Sequence, residues 1–110
     1  MNSVLVEKPV QSEAELKIET LPLKKAALIL RAINHKLRQQ ILKLIHESGR
    51  IPVTEIYVKL RLEQSVASQH LAILRKANFV TTHREDKFIF YSVDYNRLRE
   101  VHHFAQQLIK

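Results

Sequence analysis

Cysteine is absent from the 110 residues, which excludes disulfides, thiolate metal ligands, a cysteine nucleophile and any thiol-based redox switch. Glycine occurs once, at Gly49, so no Gly-rich phosphate cradle of the P-loop or dinucleotide-fold type can be written, and nucleotide-dependent chemistry is not expected. Long apolar runs are missing as well. The longest aliphatic stretch, Ala26 to Leu30, is flanked by Lys24, Lys25 and Arg31 and falls far short of the roughly 20 residues that span a bilayer. Met1 to Pro9 shows no basic start followed by an apolar stretch, so no secretory signal is expected and the protein is assigned to the cytoplasm.

What the chain does have is positive charge. Lys and Arg number 18 against 11 Asp and Glu, while the apolar fraction of 45% is ordinary for one globular domain. A chain of this size buries roughly two-thirds of the surface its unfolded state exposes, enough for a core without staples. The charge is uneven. Residues 1–20 hold Lys8 and Lys17 against Glu7, Glu13, Glu15 and Glu19, a net of −2, which leaves +9 for residues 21–110. A domain this basic attracts polyanions, of which nucleic acid is the commonest, although charge alone does not separate DNA from RNA or an acidic membrane.

Residues 1–19 lack sustained periodicity, contain Pro9 and read as an extended or mobile arm, whose Val4-Leu5-Val6 could pack on a partner. Residues 20–110 read as one folded domain. Leu23, Ala26, Ala27, Leu30 and Ile33 predict a first helix over about 20–33 with Pro22 in its first turn. Asn34 is the expected N-cap of a second helix, whose stripe of Leu37, Ile41, Leu44 and Ile45 stops at Gly49. Pro52 is expected to open a third helix of about two turns, with Val53, Ile56, Tyr57 and Leu60 on one face. A fourth helix comes next over about 64–77, with Ala67, Leu71, Leu74 and Ala77 inward and Asn78 available to end it in a left-handed conformation. Phe79–Arg84 and Lys87–Val93 predict two strands about a Glu85-Asp86 turn, and Asp94 can cap a last helix over about 95–109. Tyr57, Phe79, Phe88 and Phe104 read as core rather than as a stacking platform for single strands.

The order of four helices, a hairpin and a last helix is that of a winged helix-turn-helix: mainly α with a small β wing, ααααββα. The apolar stripe on the last helix needs cover after the hairpin is finished, and a second subunit supplies it simply. A homodimer through the first and last helices is therefore expected, with Leu23, Ala27, Leu30, Leu98, Val101, Phe104 and Leu108 at the interface.

Two segments carry a resemblance. Asn34-His35-Lys36-Leu37-Arg38-Gln39-Gln40-Ile41-Leu42 resembles the second-helix signature of the ArsR/SmtB family of bacterial winged-helix repressors, Asn-His-Pro-x-Arg then x-x-Ile-Leu, with Lys36 in place of the proline. Gln64-Ser65-Val66-Ala67-Ser68-Gln69-His70-Leu71, continuing to Val80, is similar to that family's recognition helix, in which Val-Ser-x-His-Leu-x-x-Leu-Arg-x-Ala-Gly-Leu-Val is typical. Arg84-Glu85-Asp86-Lys87 and Phe90-Tyr91-Ser92-Val93 fit its wing, so the resemblance covers about residues 20–108. It implies a homodimer that sits on operator DNA and leaves when a metal or another inducer binds. The familiar metal ligands are replaced: Pro52-Val53-Thr54-Glu55-Ile56 stands where a Cys-Val-Cys-Asp-Leu run would, and Tyr95, Arg97 and Leu108 stand where last-helix ligands would. Arg61 replaces a common turn glycine and Glu63 a common capping serine.

Gln64, Ser65, Ser68 and Gln69, at one-and-four spacing near the fourth helix's start, are short polar side chains able to reach base edges, with His70 and Arg75 reaching bases or phosphates. An ordinary solvated face has the same composition; the resemblance turns the reading toward DNA. Arg84 and Lys87 at the hairpin tip would meet phosphate or the minor groove. Glu100 and His103, at i and i+3, are weak metal candidates, whereas adjacent His102 and His103 point about 100° apart and do not share an ion easily. Ser65 and Ser68 have His70 nearby, but such pairs diverge on a helix and no acid completes a triad, so no enzyme is expected. No cofactor or membrane partner is implied. The reading is a sequence-specific, double-stranded-DNA-binding dimeric repressor on an imperfect palindrome, released by an unidentified effector. A winged-helix protein-interaction adaptor and a non-specific architectural DNA binder are the alternatives.

Overall fold

Residues 15–110 are described by a computed structural model. In chain order they form α1 (Thr20–Ile33), α2 (Lys36–Ser48), a two-residue strand β1 (Ile51–Pro52), α3 (Val53–Lys59), α4 (Gln64–Lys76), β2 (Val80–Glu85), β3 (Phe88–Val93) and α5 (Tyr95–Leu108). Most of the arm assigned to residues 1–19, including Val4-Leu5-Val6, lies outside the described residues. The fold is mainly helical with a β wing, as the pattern of apolar residues predicts, with one strand added.

That strand comes from the segment assigned to the start of the third helix. Ile51 and Pro52 pair antiparallel with Tyr91 and Phe90, giving a sheet of order β1-β3-β2. Pro52 sits just before α3 in extended conformation, at φ −76° and ψ 154°, rather than inside its first turn. A proline is tolerated there because an edge strand does not need its N–H. Gly49, at φ +80°, makes the bend that aims Ile51 into the core, where it is buried.

The joint between α1 and α2 differs by one residue from expectation. Asn34 closes α1, its backbone N–H bonding the Leu30 carbonyl at 2.9 Å, and α2 starts one residue later than expected, at Lys36, so the capping position falls on the next residue. His35 takes that place, in extended conformation, its Nδ1 accepting from the Arg38 N–H at 3.4 Å. The hairpin turn is shifted too. Glu85 pairs with Phe88, so Asp86 and Lys87 form the turn and Asp86 takes φ 56°, a conformation aspartate tolerates.

The ends of α3 and α4 are built alike. After α3, the Arg61 N–H bonds the Val58 carbonyl at 3.2 Å and the Leu62 N–H bonds the Tyr57 carbonyl at 2.9 Å, with Arg61 at φ 56°. After α4, Asn78 at φ 68° and Phe79 make the same pair of bonds to Arg75 and Leu74, both 2.9 Å. These are Schellman closures, which need a left-handed residue just past the helix. Asn78 ends α4 as its residue type predicts, whereas Arg61 adopts the conformation that a glycine would supply. Glu63 precedes α4 without a side-chain cap, and Asp94 caps α5 through Oδ1 and the Arg97 N–H at 3.0 Å.

The core forms where α2, α3 and α4 meet the sheet: Ile41, Ile45, Ile56, Ala67, Leu71, Leu74 and Phe79 are fully buried. Helices α1 and α5 contribute one buried residue each, Ala32 and Val101. Of the four aromatics assigned to the core, Phe79 alone is fully buried; Tyr57 is half-buried, and Phe88 and Phe104 lie exposed on the wing and the outer face of α5. Phe88 is exposed because it begins β3 beside the hairpin turn, at the tip of the wing away from the core.

A left-handed arginine is strained by its Cβ. Arg61→Gly is therefore expected to raise unfolding stability in urea by about 0.5–1 kcal/mol, the relief of that clash being partly offset by the greater freedom of glycine in the unfolded chain.

Candidate nucleic-acid interface

Helix α4 is held by one side only. Ala67, Leu71, Leu74 and Ala77 face the core, while Gln64, Ser65, Ser68, Gln69, Ala72, Arg75 and Lys76 are exposed. At 100° per residue these seven fall within an arc of about 140°, a continuous polar face for the length of the helix. Short side chains occupy its first two turns and two cations its last. Ala72 and Lys76 belong to this face, although polar spacing near the helix start does not point to them. A shallow groove beside it is lined by Ser68, Ala72, Arg75, Lys76, Asn78 and Tyr91, so the base of the wing also borders the face.

His70 does not share that face. It comes three positions after the buried Ala67 and turns toward α2, where its Nδ1 lies 3.2 Å from Arg38 Nη1 and its ring centroid 5.0 Å from that of His35. Burial, then the charges of His35 and Arg38, hold its pKa below the ordinary imidazole value.

In the wing, Arg84 lies at the end of β2 and Lys87 in the turn, both exposed, with Arg84 Nη1 donating to the Asp86 carbonyl at 3.3 Å. A residue not singled out by its sequence context steadies this hairpin. Arg50, just before β1, donates to Glu85 through Nη2 at 2.7 Å and Nη1 at 3.1 Å and lies 4.1 Å above the Phe90 ring. Two parallel hydrogen bonds plus a cation over a ring fix the wing more firmly than a single surface ion pair. The hydrogen bond and charge of Arg50, with a smaller contribution from His83, hold the Glu85 carboxyl below the usual range against the opposing effect of burial.

Away from α4, the outer faces of α1 and α5 are apolar and uncovered. Leu23, Phe104 and Leu108 are exposed, Ala27 is exposed, and Leu30 and Leu98 are half-buried. Val101 is 8% exposed and already belongs to the core of its own chain. A groove lined by Ala27, Leu30, Ile33, Leu98, Val101 and Ala105 runs between the two helices. The Glu100 carboxylate is engaged by Arg97 Nη1 at 2.9 Å, and His103 is exposed beyond it. Among the described residues no group of three or more His, Cys, Asp or Glu is placed to hold a metal ion. No helix among them is long and apolar enough to cross a membrane.

Residues 35–82 match the model of a family described as bacterial regulatory protein, arsR family. The chain is 36% identical over 84 residues to an uncharacterized HTH-type transcriptional regulator of Methanocaldococcus jannaschii, covering 76% of this chain and 94% of that one. It is 32% identical over 78 residues to the transcriptional repressor PagR of Bacillus anthracis, covering 71% and 78%. Among solved structures, the transcriptional regulator HlyU of Vibrio vulnificus superposes with a TM-score of 0.59 at 31% identity, covering 80% of this chain and 92% of that one.

The Arg50 clamp gives a local expectation. Glu85→Gln should speed amide exchange across the β2–β3 turn while leaving the urea midpoint nearly unchanged, since an exposed pair contributes little to global stability. Because the Glu85 pKa is depressed, the wild-type wing should loosen in the same way only as pH falls through and below the usual carboxylate range.

Proposed function

Since the chain belongs to the arsR family of bacterial regulatory proteins, we propose that it is a double-stranded-DNA-binding transcriptional regulator acting as a dimeric repressor. The observation that carries the reading is the bare polar face of α4, supported from behind by a buried stripe and bordered by a wing that exposes Arg84 and Lys87. Gln64, Ser65, Ser68 and Gln69 would meet base edges in the major groove, and Arg75 and Lys76 would meet phosphate. Arg84 and Lys87 would add backbone or minor-groove contacts that carry little sequence information. Spacing alone groups His70 with these contacts; its place beside Arg38 gives it a supporting role instead.

The uncovered faces of α1 and α5 support a homodimer in which Leu23, Ala27, Leu30, Leu98, Phe104 and Leu108 meet a second copy, with Val101 contributing from the edge of the core. Two-fold symmetry would place one α4 per half-site about one helical turn apart, on an imperfect palindrome. The Bacillus anthracis relative is named a repressor and a Vibrio cholerae relative, 38% identical over 69 residues, an activator; repression is the direction we propose.

Fluorescence-anisotropy titration against DNA from upstream of the protein's own gene, beside a scrambled duplex, tests this directly. Preference for the upstream DNA, with affinity falling steeply as salt rises, is the expected result. Equal, salt-sensitive binding to both duplexes would mean an architectural role, and no binding at low salt would return the adaptor reading. Ser68→Ala or Gln69→Ala should lower the preference by about 5-fold to 100-fold, the equivalent of one lost base contact, with little change in urea stability. Phe104→Lys together with Leu108→Glu should convert the dimer to monomer by analytical ultracentrifugation; an unchanged sedimentation coefficient would refute the assigned interface.

A further inference from the structure

Arg38 is the one charged side chain buried among the described residues, at 7% exposure. Burial draws its guanidinium below the ordinary arginine value, yet an arginine stays protonated at any working pH, so a full positive charge lies inside the joint. Among the described residues no carboxylate is paired with it. The charge is met by dipoles instead: Nε donates to the Ala32 carbonyl at 2.7 Å, Nη2 to the Arg31 carbonyl at 3.1 Å, and Nη1 lies 3.2 Å from His70 Nδ1. Two of these partners are carbonyls in the last turn of α1, and the third is on α4. One guanidinium on α2 thus ties the end of the first helix to α4.

The third bond has a chemical condition. A guanidinium only donates, so His70 Nδ1 must present a lone pair, which requires the neutral ring with its proton on Nε2. A protonated ring has no lone pair to offer and sets an imidazolium against a guanidinium. The charged or titratable groups that act on the ring are Arg38 and His35, both beside it from the α2 end, and neither is an acid. From α1 the joint receives two backbone carbonyls and no compensating charge. Nothing at the site welcomes a second proton.

We propose that neutral His70 is the positioning residue that couples α4 to the α1–α2 joint through Arg38, and that its protonation frees α4 and weakens operator binding in mildly acidic solution. The proposal rests on the DNA-binding reading of α4 and adds a regulatory input to it. Its sign comes from linkage. A histidine whose folded pKa lies below its unfolded value supports the fold fully above the unfolded value; that support is lost as pH falls from there through the folded value. The direction is opposite to the general one for a basic protein on DNA, where added positive charge in acid tightens binding.

The decisive comparison is between wild type and His70→Gln, because a glutamine Oε1 can accept from Arg38 without titrating. Anisotropy with the upstream duplex, at fixed ionic strength, should show wild-type affinity falling by about 10-fold between about pH 7.5 and about pH 5.5 while His70→Gln changes by less than about two-fold. Parallel profiles, or a wild type that binds more tightly in acid, would overturn the proposal. A second measurement needs neither DNA nor a variant. Nitrogen-15 NMR of the free wild-type protein should show His70 Nδ1 as an unprotonated acceptor at neutral pH, with the Arg38 Nε–H and the α4 amides shifting together as the ring titrates. Titration of His70 that leaves the Arg38 signal unmoved would refute the coupling even if operator binding is confirmed. Coupled shifts without any DNA binding would retain the joint and discard the DNA reading instead.

Discussion

Everything that distinguishes this chain depends on packing α4 from behind while leaving its front bare. A helix of 13 residues on its own is marginal in water, so α4 owes its place to the stripe of Ala67, Leu71 and Leu74 and to the turns at either end. The stripe supplies the hydrophobic free energy and sets which face of the helix turns outward; the turns and the Arg38 bond tie its ends and its middle to the body. Arg97 adds to this at the far end, its Nε donating to the Ala77 carbonyl at 2.9 Å. Two arginines from different helices thus hold α4 near its middle and its end.

The elements easiest to read from sequence are those whose apolar spacing is strong. Leu71 and Leu74 with Ala67 define α4 unambiguously, and the β-branched and aromatic run Phe88–Val93 defines a strand. Asn78 ends its helix because asparagine tolerates the left-handed conformation, a property local to the residue. What escapes is set by partners distant in sequence. Ile51-Pro52 becomes a strand only because Tyr91 and Phe90 lie alongside, and two residues carry no period of their own. His35 rather than Asn34 caps α2 because α2 starts one residue later, at Lys36.

The same limit governs the candidate site. The polar face of α4 is legible in the sequence, since exposure is set by helical period once the buried stripe is known. His70 is misplaced by the same reasoning because polar identity suggests a surface role, whereas its angular position lies among Ala67, Leu74 and Ala77. Arg38 matches the arginine of the second-helix signature, but its burial is not legible, for an arginine at a helical position reads as solvated until its carbonyl partners are seen. Arg50 is similar: its partner Glu85 is 35 residues away, and no sequence pattern joins them.

The short strand β1 has a consequence for behaviour in a crowded solution. A three-stranded sheet has two edges, and each open edge offers unpaired backbone groups to any passing chain. One edge of this wing is two residues long and ends in Pro52, which has no N–H to donate. The other is β2, whose outer half carries His83, Arg84 and Glu85. A proline on one side and charges on the other deny a foreign strand the register it would need. The wing can therefore stand out from the body without offering a template for aggregation of its own kind.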